Sequence, residues 1–156
     1  MLERLTIAPD DPRRPDIRAL LERHLAYANE HSPPEDVHAL DLGGLVAPDI
    51  SFFSARRDET LVGIGAIRVL DATHAELKSM HTAEVARGRG VGAAMVEHLV
   101  GIARERGVNR VSIETGTQAA FAPARALYAN AGFEPCEPFG EYTNSTNSMC
   151  MTRGLE

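Results

Sequence analysis

Glu84-Val85-Ala86-Arg87-Gly88-Arg89-Gly90-Val91-Gly92-Ala93 is the stretch that decides how this chain reads. A β-like segment, Ala75 to Ala83, precedes it. A helical pattern follows from Val91 to Arg106, with Val91, Met95, Val96, Leu99, Ile102 and Ala103 on one stripe. Glycines at alternate positions strip the intervening turn of side chains. Backbone N–H groups at a helix start then face outward with a positive dipole, which suits an anion. Arg87 and Arg89 add charge-assisted donors. The physics favours phosphate, and pyrophosphate in particular. A Walker A loop needs Gly-Lys-Ser/Thr, which is missing here. A Rossmann fingerprint needs wider glycine spacing, early in a βαβ unit. A tight strand-to-helix turn with solvated arginines remains the plain alternative.

Working outward, Leu2, Leu5 and Ile7 suggest a first strand, and Ile17 to Asn29 has helical apolar spacing. Ser32-Pro33-Pro34-Glu35 reads as a second helix start, a capping box with proline at the first helical position. Gly43-Gly44 is expected to end that helix. Ile50 to Arg57 and Leu61 to Leu70 form a hairpin pattern around Asp58-Glu59-Thr60. Beyond the glycine turn, Gly107 stops the long helix, and Val108 to Thr115 is β-like. Pro123 to Ala131 is a short helix, and Phe133 to Tyr142 and Thr146 to Arg153 are the last β-like stretches. The order β-α-α-β-β-β-α-β-α-β-β predicts a mixed sheet with helical crossovers, an α/β or layered α+β arrangement.

The 156 residues carry 16 Lys+Arg against 22 Asp+Glu, a net charge of -6, which argues against broad binding to nucleic acid. With 44% hydrophobic residues and no dividing linker, a single domain over residues 1–156 is expected. No apolar run approaches the roughly 18 residues of a membrane span. Met1 to Asp10 lacks the pattern of a signal peptide, so a cytoplasmic protein is expected. Two cysteines, Cys136 and Cys150, exclude a disulfide framework. His24, His31 and His38 recur every seven residues, but Pro33-Pro34 interrupts them and no metal motif forms. No metal is expected.

Arg87-x-x-Gly90-x-Gly92 resembles the acyl-CoA signature of the GCN5-related N-acetyltransferase (GNAT) superfamily. Ala126 to Glu134, a short helix running into Tyr128-x-x-x-Gly132-Phe133, is similar to that family's second hallmark. Glu76 to Met80, Glu114-Thr115-Gly116 and Pro138-Phe139 look like a bacterial small-molecule acetyltransferase-like subgroup. The resemblance implies a mixed, mostly antiparallel sheet of six to seven strands, flanked by about four helices and splayed at its central strands. It implies acetyl-CoA as co-substrate. The pyrophosphate would lie on the backbone of Arg87, Gly88, Arg89, Gly90, Val91, Gly92 and Ala93. The pantetheine arm would pair with Met80, His81 and Thr82.

Direct attack of an amine on the thioester poses two proton problems. A primary alkyl amine, of pKa near 10.4, is neutral in roughly one molecule per thousand at neutral pH. A carboxylate can take its proton. Glu76 is the first candidate and Glu114 the second; a structural pairing, Glu76 with Lys78, is the alternative. On a strand Glu76, Lys78, Met80 and Thr82 share one face. Tyr128, by its match to the family's tyrosine, is the candidate acid for the departing thiolate, or a core tyrosine contacting the cofactor. Lys78 and Tyr142 are candidate acceptor contacts, the latter in the polar loop Gly140 to Asn147. His81 lines the cofactor side or packs under a helix. The expected partner is a small-molecule amine, without nucleic acid or membrane; a homodimer is left open. A CoA-binding sensor without catalysis is the rival reading, and an unrelated nucleotide-binding protein the third.

Overall fold

The structure, a computed structural model, describes residues 4–34 and 40–155. Its elements are β1 (Leu5–Pro9), α1 (Pro15–His31), α2 (Leu42–Leu45), β2 (Ile50–Arg57), β3 (Thr60–Val69) and β4 (His74–Thr82). After the glycine turn come α3 (Val91–Glu105), β5 (Arg110–Gly116), α4 (Ala122–Asn130), β6 (Glu134–Cys136) and β7 (Ser148–Gly154). Seven strands form one sheet in the order β1-β2-β3-β4-β5-β7-β6. Among the described residues only the β4–β5 pair is parallel, and α3 is the crossover between them. This is the mixed, layered α/β sheet expected from the alternation of elements.

The two faces of the sheet bury different helices. Phe53, Ala55, Ile67 and Leu77 pack with α3 through Val91, Met95, Val96, Leu99, Val100 and Ala103, and with Tyr128 of α4. Phe52, Ile64 and Ala66 pack with Ile17, Leu20 and Leu21 of α1 and with Leu45 of α2. The alternation Phe52/Phe53 is the period-two signature of a strand covered on both sides. Gly107 ends α3 at φ 77°, where the Val108 N–H reaches the Ala103 carbonyl.

The helix expected from Ser32 runs onto residues 35–39, outside the described residues. Elsewhere the structure differs from the sequence reading at three places. Gly43 and Gly44 do not end a helix; they lie inside α2, whose cap is Asp41 accepting the Gly44 N–H at 2.9 Å. The strand expected over Phe133 to Tyr142 shrinks to β6. Pro135 and Pro138 supply no N–H, so pairing is confined to a three-residue edge.

The third difference positions the site. Ile64 pairs with His81 and Ala66 with Lys78, so Gly65 faces both Ser79 and Met80. Ser79 absorbs the extra residue in the left-handed region, at φ 56°. Glu76, Lys78, Met80 and Thr82 therefore do not share a face. Glu76 and Lys78 face α1, and the bulge brings His81 to that side as well. Met80 turns toward α3, where a side chain on Gly65 would strike Met80 Sδ at 2.9 Å and Met95 Cγ at 2.8 Å.

Candidate active site

The β4–β5 pairing covers only His74–Glu76 against Arg110–Ser112. Beyond it the strands part, although β4 continues to Thr82 and β5 to Gly116. The β5-facing edge of β4 is left without a strand partner. A cavity of about 470 Å³ occupies the opening. Its walls are Leu77–Thr82 of β4, Ile113–Gly116 of β5, the glycine turn, Leu127 and Tyr128 of α4, and His24 and Tyr27 of α1. The Tyr27 hydroxyl donates to the Ala120 carbonyl at 2.6 Å, and its ring meets Phe121 edge-on at 5.7 Å. That contact ties α1 to the segment after β5 across the cavity.

The glycine turn is open backbone. Gly88 and Gly90 have φ of 77° and 83°, and a side chain added at either meets nothing within 4 Å. Gly90 is the left-handed N-cap of α3 and offers no side-chain cap. The first helical bond is Ala94 N–H to the Gly90 carbonyl, so the N–H groups of Val91, Gly92 and Ala93 lack helical acceptors. Arg87 lines the cavity, its Nε donating to the Thr82 carbonyl at 3.4 Å. Arg89 does not line it; its carbonyl accepts from Arg57 Nη2 at 3.2 Å. Arg57 was missed from sequence because it lies at the end of β2, far from the motif it braces. The Ser79 hydroxyl, buried at the bulge and on the cavity wall, has no hydrogen-bond partner among the described residues.

Met80, His81, Thr82, Gly88, Gly90, Val91, Gly92, Ala93, Glu114 and Tyr128 all stand on the cavity wall. Tyr128 is 3% exposed and stacks edge-on with Phe133 at 6.0 Å. Burial, reinforced by Glu114, raises its hydroxyl pKa, so it stays protonated. Glu114 accepts from the Ser148 hydroxyl at 2.9 Å. Glu76 is buried and absent from the wall. Its Oε2 accepts from Lys78 Nζ at 3.2 Å and from the Tyr142 hydroxyl, while Lys78 donates to Tyr142 at 2.9 Å. Burial and the Glu76 carboxylate push the Tyr142 pKa upward, so this hydroxyl also keeps its proton. Lys78 and Tyr142 do line the cavity, so Glu76 reaches it through them.

Other polar side chains near the site fall outside the chemistry. Arg125 donates to the carbonyls of Gly116 and Gln118 at 2.8 and 3.0 Å and steadies the end of β5. Burial pushes the Cys150 thiol up to about 11 and raises that of Cys136, so neither is a thiolate at neutral pH. Among the described residues no cluster of three or more His, Cys, Asp or Glu is placed to hold a metal. No described helix is long and apolar enough to cross a membrane. His24 was also missed from sequence as a site residue; its imidazole meets that of His81 at the cavity. Only the apolar stripe of α1, which His24 follows by one turn, hinted at its placement.

Comparison with known proteins agrees with this geometry. The acetyltransferase (GNAT) family model matches residues 15–133. YedL of Escherichia coli (strain K12), described as an uncharacterized N-acetyltransferase, is 44% identical over 150 residues, covering 96% of this chain and 94% of that protein. YsnE of Bacillus subtilis (strain 168), described in the same words, is 42% identical over 146 residues, covering 94% and 97%. The crystal structure of a GNAT family acetyltransferase from Elizabethkingia anophelis, with acetyl-CoA bound, shares the fold at a TM-score of 0.71. Its identity is 18%, and 97% of this chain and 98% of that one are covered. With its parted central strands and bare glycine turn, the chain belongs to the GNAT acetyltransferase family and is an N-acetyltransferase.

Proposed function

We propose that the chain moves an acetyl group from acetyl-CoA to the primary amine of a small molecule, by direct attack in a ternary complex. The observation that carries this reading is the glycine turn opening α3 onto the cavity between β4 and β5. The residues present fit the co-substrate. Uncapped N–H groups of Val91, Gly92 and Ala93, with Arg87 beside them, suit a pyrophosphate. Side chains at Gly88 and Gly90 would fill that space. The unpaired edge of β4 at Met80–Thr82 suits an extended amide chain. The orphaned Ser79 hydroxyl adds a polar group at the same opening. Acetyl-CoA, when bound, supplies an activated acetyl thioester.

The remaining roles belong to the protein. Tyr128, kept protonated by burial, donates toward the departing sulfur. Glu114, on the cavity wall, adds its charge to burial in keeping that hydroxyl protonated until the thiolate forms. Glu76 holds Lys78 and Tyr142 at the acceptor end of the cavity. A mixed cation and phenol wall suits an acceptor with a polar group beyond its amine.

A thiol-release assay over a panel of amines, amino acids and aminoglycosides tests the reading. Turnover of at least one small amine is expected; binding of acetyl-CoA with no turnover across the panel overturns the small-amine reading. Thermal shifts with acetyl-CoA, ATP and NAD test the co-substrate, since only acetyl-CoA is expected to stabilise. Tyr128→Phe keeps the ring in the core and removes the donor. It is expected to lower kcat about a hundredfold, the low end for general acid catalysis, with acetyl-CoA affinity within threefold. Unchanged kcat removes Tyr128 from that role.

A further inference from the structure

We infer that His24 and His81 form a proton relay that accepts the proton shed by the acceptor nitrogen. The inference rests on the acetyl-transfer reading above but on a different set of atoms. His24 stands on α1 and His81 on β4, both on the cavity wall. Their Nδ1 atoms are 3.1 Å apart, with ring centroids at 5.0 Å in an edge-on pose. The Ser79 bulge creates this meeting. Without it, His81 alternates to the α3 side and the rings cannot touch.

The Nδ1–Nδ1 bond fixes how protons are arranged. Two neutral imidazoles can share it only if one ring donates from Nδ1 and the other accepts there. The donor ring then has a bare Nε2, and the acceptor ring carries its hydrogen on Nε2. The pair thus has one proton acceptor and one proton donor at its outer ends. A proton arriving at the bare Nε2 leaves the Nδ1–Nδ1 bond intact and makes it charge-assisted. Passing the Nδ1 proton to the second ring then releases that ring's Nε2 proton. One proton enters, one leaves, and the tautomers of the two rings are exchanged.

The balance of the reaction matches one such relay. An ammonium that becomes a secondary amide sheds two protons as the N–C bond forms and the C–S bond breaks. One ends on the departing sulfur, which Tyr128 serves. The other leaves through the imidazoles. Glu76 is ill placed for that task, because its carboxylate is engaged by Lys78 and Tyr142 and is off the cavity wall. Burial holds both imidazoles down to about 4. For His81 the charges of Arg87, from the glycine turn, and Arg23, from α1, and the His24 ring itself press the same way. The pair is therefore neutral and able to accept throughout the neutral range. Acidification through about 4 protonates it in the absence of substrate, removes the bare Nε2, and closes the relay.

Two measurements test this. In the substrate-free protein, nitrogen-15 spectra of the imidazoles should show one ring as the Nδ1–H tautomer and the other as Nε2–H at pH 7. Two Nε2–H rings, or titration of both rings near 6.5, overturns the proposal. In the thiol-release assay, His24→Gln and His81→Gln should each lower kcat about a hundredfold, the low end for acid–base catalysis, with acetyl-CoA affinity within threefold. Free imidazole should restore at least tenfold of the rate in His81→Ala or His24→Ala, and the rescue should track its neutral form, which refilling of the space alone does not require. Glutamine variants that keep kcat within threefold of the parent sink the relay. Failure of the acetyl-transfer reading looks different: the parent then acetylates no amine, whereas the tautomers are read without any substrate.

Discussion

Lys78→Ala should destabilise the protein by about 3–5 kcal/mol, the range for breaking a buried ion pair by removing one partner. Lys78 and Glu76 are 8% and 3% exposed, so neither charge has bulk water to fall back on. The Lys78 ammonium reaches Glu76 at 3.2 Å and the Tyr142 oxygen at 2.9 Å, and lies 5.6 Å from the centre of the Tyr142 ring. Removing it leaves a buried carboxylate with the Tyr142 hydroxyl and no cation. At about 2–4 °C per kcal/mol for a chain of this size, the melting temperature should fall by about 10 °C. The double variant E76Q/K78M removes both charges. It keeps an amide oxygen to accept from Tyr142 and an apolar stem in place of the lysine. It should recover most of the loss, because a buried pair contributes little net stability against a neutral replacement of similar size. Calorimetry of the parent, K78A and E76Q/K78M decides. A loss below about 1 kcal/mol in K78A means that water reaches the pair and that burial does not set its cost.

The element order was legible because each element carries its own period. The α3 stripe, the capping glycine at Gly107 and the hairpin around Asp58 are local signals, and the structure keeps all three. The glycine turn was legible for the same reason, since φ of 77° and 83° at Gly88 and Gly90 are conformations that call for glycine. The bulge was not legible. Ser79 holds φ 56° without being Gly or Asn, so nothing in the sequence marks it. Missing it puts every later residue of β4 on the wrong face, which is how His81 came to be open between two sides. The Glu76–Tyr142 contact spans 66 residues and the His24–His81 contact 57, and neither pairing has a local signature. The candidate site was thus readable where backbone conformation makes it, at the turn. It was unreadable where tertiary packing brings single side chains together, at the acceptor end.

Gly90→Val should weaken acetyl-CoA binding about a hundredfold, or about 2.8 kcal/mol at 1.4 kcal/mol per tenfold. Two effects add. At φ 83° a branched side chain is strained by roughly 1–2 kcal/mol, so the turn relaxes and the N–H groups of Val91, Gly92 and Ala93 lose their common aim. The new side chain also enters space where nothing lies within 4 Å, on the wall where the phosphates are proposed to sit. Stability bears only the first effect and should fall by about 1–2 kcal/mol. Gly101→Ala is the matched control in the same helix. Gly101 has ordinary helical backbone, and a side chain there also meets nothing within 4 Å. It should stabilise the protein by about 0.5–1 kcal/mol through helix propensity and leave acetyl-CoA affinity unchanged. Titration calorimetry and thermal melting of both variants separate binding from folding. If Gly90→Val binds acetyl-CoA within threefold of the parent, the turn is a structural corner, and the phosphates must be held elsewhere on the cavity wall.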